Sequence, residues 1–65
     1  MRRSATLTDV ERLVLDVLTP GGLLTLETLA RRTGRPVRDV RRATDGLLTK
    51  NLAWANHRGQ WSTRG

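Results

Sequence analysis

The chain has 65 residues, a formal net charge of +6 and no cysteine. A chain this short forms one domain and buries only about 60% of its unfolded surface. Disulfide staples and thiolate metal sites are excluded, and no apolar run approaches the roughly 20 residues of a membrane span.

The charge is unevenly placed. Residues 1–30 hold three arginines against four acids, whereas residues 31–65 hold nine basic residues against Asp39 and Asp45. Eleven of the twelve basic residues are arginine, and Lys50 is the only lysine. Arginine presents a planar fork suited to phosphate and to guanine edges. A high-GC genome also raises arginine content, but it does not explain why acids avoid the second half. The asymmetry fits a polyanionic partner.

Residues 1–7 show no periodicity and read as a flexible N-terminal arm ahead of a domain over residues 8–65. Arg2 and Arg3 suit either contact with a nucleic-acid backbone or a solvated tail. Met1-Arg2-Arg3 is followed by a polar stretch with Asp9, Glu11 and Arg12, so no signal peptide is visible and a reducing cytoplasm is the expected location. The Met1 start favours a complete small protein over an excised module.

Thr8-Asp9-Val10-Glu11 is a capping box that opens a helix. The helix runs to about Leu18, with Val10, Leu13, Val14, Val17 and Leu18 as one apolar stripe. Leu15 falls off that stripe, either exposed singly or placed in a dimer contact. Thr19-Pro20-Gly21-Gly22 stops the helix. Leu23-Leu24 leaves room for a very short strand. Thr25 caps a second helix that carries Leu26, Leu29 and Ala30 and ends near Arg32.

The bend is Thr33-Gly34-Arg35-Pro36. Gly34 can take positive φ, and Pro36 fits the first turn of a third helix over 36–50. Val40, Ala43 and Leu47 recur at i, i+3 and i+7 and face the core. At 100° per residue the opposite face carries Arg38, Arg42, Asp45 and Thr49, with Arg41 on its flank. That face either enters a groove or stays solvated, laced by Asp39–Arg42 and Arg41–Asp45 pairs worth a few tenths of a kcal/mol. The arginine surplus has no internal acid to pair with. Gly46, which costs roughly 1 kcal/mol relative to alanine in a helix, either admits the first helix closely or ends the third early.

Asn51 tolerates the left-handed conformation just past the helix. Leu52–Ala55 and Gln60–Thr63 read as strands around the turn Asn56–Gly59. Leu52 and Trp54 alternate onto one face, so a tryptophan is expected to close the core, with stacking on unpaired bases as the alternative. His57 and Arg58 stand at the hairpin tip, where they either meet a ligand or keep an edge soluble.

Ala30, Gly34 four residues on, Val40 six beyond it, and Ala43 together resemble the helix-turn-helix of DNA-binding proteins. Arg35 departs from the apolar residue usual there. With the hairpin directly after the third helix, residues 8–63 resemble the winged helix-turn-helix family. The resemblance implies an α+β, mostly α fold of three helices and a small two- to three-stranded wing. It implies sequence-specific binding of double-stranded DNA by a small transcriptional regulator. Helix 36–50 would lie in the major groove and the wing, residues 52–63, on the adjacent backbone. Arg38 and Arg42, with Arg41 and Asp45, are the expected base contacts. Thr25, Arg31, Arg35, Lys50, His57 and Arg58 are the expected backbone contacts. A nucleoid-associated protein acting as a weak homodimer, or in tandem on repeats, follows, since one small module reads few base pairs.

Two alternatives stay open. One is the DNA-reading module of a translocase or plasmid-transfer machine. The other is a winged-helix adaptor for an acidic protein. Double-stranded RNA ranks low because the chain has no tyrosine. No cofactor, metal or catalysis is expected. His57 is the only histidine, Ser4 and Ser62 have no His–acid partner at a readable position, and no glycine-rich loop leads into Lys-Ser/Thr.

Overall fold

A computed structural model describes residues 7–63. Helix α1 (Asp9–Leu18) is followed by strand β1 (Leu24–Thr25), helices α2 (Leu26–Thr33) and α3 (Val37–Thr49), and strands β2 (Ala53–Ala55) and β3 (Gln60–Thr63). The result is a mostly helical α+β fold with one three-stranded antiparallel sheet, in the order β1-β3-β2. Among the described residues no helix is long and apolar enough to cross a membrane.

The capping box forms as its sequence dictates. Thr8 Oγ1 accepts the Glu11 N–H at 3.1 Å, and Glu11 Oε1 accepts the Thr8 N–H at 2.9 Å. The inward face of α1 keeps most of the expected stripe, with Val14 and Leu18 buried and Val10 and Val17 packed against the core, but it also takes in Glu11, which is buried, and Leu15, which is half-buried against the core. Leu13, expected inside, is half-buried. Five apolar residues from Leu13 to Leu18 cover too wide an arc for periodicity to fix the seam. The seam is fixed by what α1 meets, and at Glu11 it meets α3.

Gly34 adopts φ 71° and ends α2, its N–H bonded to Ala30 O at 2.9 Å. Only the left-handed backbone allows this turn, and a side chain there would be strained. Pro36 stands just before α3 rather than inside it, and its carbonyl accepts the N–H groups of Asp39 and Val40. The third helix continues through Gly46 to Thr49. The alternative left open by the sequence is thereby decided: Gly46 admits α1, because a methyl group there would overlap the Glu11 carboxylate. Asn51 takes φ 63° and closes α3, with Leu52 N–H bonded to Leu47 O and Asn51 N–H to Leu48 O.

That closing motif changes the expected strand. Leu52 belongs to the end of α3, and β2 begins at Ala53, which is fully buried. Side chains alternate from there, so Trp54 faces outward at 38% exposure. The tryptophan that closes the core is Trp61, set between Leu24 and Ala55 in the sheet. It joins Val14, Leu18, Leu29, Val40, Ala43, Leu47 and Ala53 in one core cluster. Leu7, assigned to the arm by sequence, packs on this cluster. Arg2 and Arg3 lie outside the described residues.

Candidate nucleic-acid interface

Burial of Val40, Ala43, Thr44 and Leu47 fixes the rotation of α3 about its axis. Thr44, which apolar spacing did not mark, is admitted because its hydroxyl is satisfied by Arg41 O at 2.9 Å. The opposite face therefore turns to solvent. Arg38, Arg41, Arg42 and Asp45 are all exposed, and the Arg38 side chain is 82% exposed. Among the described residues neither Asp39–Arg42 nor Arg41–Asp45 closes to an ion pair. The one contact here is Arg38 Nε to Asp39 Oδ1 at 3.8 Å, long and exposed. At such a separation in water it holds little.

Further cations stand on the neighbouring elements. Arg31 and Arg32 occupy the last turn of α2, where positive charge complements the helix dipole. Arg35 follows in the bend, its N–H bonded to Ala30 O at 3.2 Å. All three side chains are exposed. The hairpin tip is shaped by Asn56. Its Oδ1 accepts the N–H groups of Arg58 and Gln60, and its Nδ2 donates to Gln60 Oε1. This Asx-type turn leaves His57 and Arg58 exposed at the tip.

Two of the expected backbone contacts, Thr25 and Lys50, have side chains engaged within the fold. Thr25 is half-buried and caps α2: its Oγ1 accepts the Thr28 N–H at 3.2 Å and donates to Thr28 Oγ1 at 3.1 Å. Its hydroxyl is already committed within the fold. Lys50 does not join the arginine face. Its Nζ lies 2.7 Å from Glu11 Oε1, with side chains 29% and 6% exposed. The reason is rotational. Position 50 lies 280° around α3 from Val40, on the side that meets α1.

Glu11 fills the capping role its sequence indicates and, beyond that, carries a buried ion pair that the capping motif does not announce. Burial pushes its carboxyl up, but the hydrogen bonds from Lys50 and the Thr8 amide, together with the Lys50 charge, outweigh burial and hold it below the usual carboxylate range. A signal was present: Glu11 precedes Val14 by three and Leu18 by seven, the spacing of a core face.

Beside this pair an open cleft of about 300 Å³ is lined by Thr8, Val10, Glu11, Asp39 and Arg42. Its lining mixes charge signs, so it does not extend the cationic surface. No family model matches the chain, and neither the curated proteins nor the solved structures give a match.

Proposed function

We propose that this chain is a small winged helix-turn-helix protein that reads double-stranded DNA with α3 in the major groove. The observation that carries this reading is the outward face of α3: three exposed guanidinium groups opposite a stripe of buried residues. A helix about 10–12 Å wide with its side chains fits a major groove about 12 Å across. Arg38 and Arg42, with Arg41 beside them, reach guanine O6 and N7, and Asp45 accepts from a cytosine amine. Arg31, Arg35, His57 and Arg58 hold phosphates on either side, so that α2, the bend and the hairpin tip fix the register of α3. Thr25 and Lys50 are left out of this set. Such a reader suits control of transcription.

Selection of bound sites from a random duplex pool tests this directly. Enrichment of a short guanine-containing motif is expected. An acidic-protein adaptor would instead recover no motif, and its binding to random duplex would be weak and would not saturate.

A further inference from the structure

Two large apolar side chains are exposed on α3 itself: Val37 at 42% and Leu48 at 50%. Neither belongs to the core cluster. At 100° per residue they stand about 60° and about 80° around the helix from Val40, on the flank beside Arg41. They differ in position along the axis. Val37 is the first residue of α3, directly before Arg38 and one turn ahead of Arg41. Leu48 lies roughly 10 Å beyond Arg41, past the exposed arginines of α3. Side chains at i and i+4 stand about 5–6 Å apart at Cβ, so Val37 and Arg41 reach the same part of a groove.

We propose that Val37 reads the C5-methyl group of a pyrimidine close to a guanine held by these arginines. It rests on the DNA-reading proposal above and adds an apolar contact to its polar set. Base-pair edges in the major groove carry hydrogen-bond donors and acceptors with one apolar exception, the pyrimidine C5-methyl. A valine pressed against a donor or acceptor takes that group from water and returns no hydrogen bond. Against a methyl group it strands nothing and removes apolar surface from water. Successive base pairs lie about 3.4 Å apart, so a Cβ separation of about 5–6 Å puts the methyl one or two steps from the guanine of Arg41. Thymine carries this methyl in ordinary DNA, and 5-methylcytosine carries it in modified DNA.

Charge selects DNA over a protein as the occupant. Arg35 and Arg38 flank Val37 in the chain and Arg41 lies one turn on, all three exposed. One valine among guanidinium groups is far smaller than the apolar patch of a few hundred Å² that marks a protein contact. It fits a polyanion that offers a single methyl group.

The test starts from a site selected out of a random duplex pool. Each thymine in it is replaced singly by deoxyuridine, which removes the methyl and keeps the pairing. Each cytosine is replaced singly by 5-methylcytosine. Wild type, Val37→Ala and Leu48→Ala are titrated onto every duplex by fluorescence anisotropy, with circular dichroism to check folding. At one position, wild type should lose affinity about three- to fivefold on removal of a methyl, or gain as much on its addition. A loss names thymine as the source and a gain names 5-methylcytosine. Val37→Ala should be indifferent to that methyl, and Leu48→Ala should respond as wild type does. A motif bound equally with and without every methyl, or a response that survives Val37→Ala, overturns the methyl reading and leaves DNA reading by the arginines standing. A response abolished by Leu48→Ala and kept by Val37→Ala also overturns it, by moving the contact to the far end of α3. A pool that yields no motif overturns DNA reading itself, and the methyl reading with it.

Discussion

Lys50 Nζ meets Glu11 Oε1 at 2.7 Å across 39 residues of sequence, joining the cap of α1 to the end of α3. The same carboxylate oxygen accepts the Thr8 N–H, so one atom serves both the start of α1 and the inter-helix pair. Breaking such a pair from one side leaves a charge behind in a poorly solvated place. Lys50→Met should therefore destabilise by about 2 kcal/mol, less than a fully buried pair because the lysine keeps part of its hydration. Glu11→Gln combined with Lys50→Met should recover much of that loss. Urea melts of the two singles and the double test this, and simple additivity would show the pair to be uncoupled.

The pair also sets the acid limb of stability. The carboxyl of Glu11 titrates lower in the folded chain than in the unfolded one, where about 4.3 is usual. The unfolded chain thus takes up the proton first. Stability from this group is fully present above that value and drains away as pH falls through the folded pKa. Melts from pH 7 to pH 3 should show that decline, and Glu11→Gln should flatten it. An equally steep decline in Glu11→Gln would place the effect on other carboxylates.

Gly46→Ala should reverse the usual rule. In an open helix the change stabilises by roughly 1 kcal/mol. Here the new methyl group falls on the Glu11 carboxylate, and forcing it in should cost about 1–3 kcal/mol. In a Glu11→Ala background the obstacle is gone, so the same substitution should become neutral or stabilising. Thermal melts of this cycle decide it: a destabilising effect of the same size in both backgrounds would mean that the glycine is needed for another reason.

The order of elements was legible because its signals are local. The capping box, the Gly34 bend, Thr25 as a cap, Asn51 beyond α3 and the Asn56–Gly59 turn each depend on one to four adjacent residues. Burial of Thr44 was not legible, and that of Glu11 was marked only by its spacing from Val14 and Leu18, because a polar side chain enters a core only when a distant partner or its own backbone satisfies it. The pairing of Lys50 was hidden for the same reason, since its partner is in another helix. The two tryptophans show a different limit. A strand has period two, so shifting its start by one residue exchanges inside for outside. That start was set by how α3 ends, with Leu52 bonded back to Leu47. The arginine face of α3 needed only the helical period and its buried stripe.

The arginines divide by role, and binding experiments can separate them. Arg38→Ala and Arg42→Ala should each cost about 1–3 kcal/mol on a selected site and little on random duplex, relaxing preference at one position. Arg58→Ala should weaken selected and random duplexes alike and make the salt dependence shallower by about one unit. With about four phosphates neutralised, the wild-type slope of log affinity against log salt should lie near −3.6. Lys50→Met should leave that slope unchanged where the variant is fully folded, because Lys50 is turned toward Glu11 rather than toward the arginine face. Anisotropy titrations at several salt concentrations measure all four variants. Equal losses on selected and random duplexes for Arg38→Ala would remove it from base reading, and a shallower slope for Lys50→Met would return that residue to the phosphate contacts.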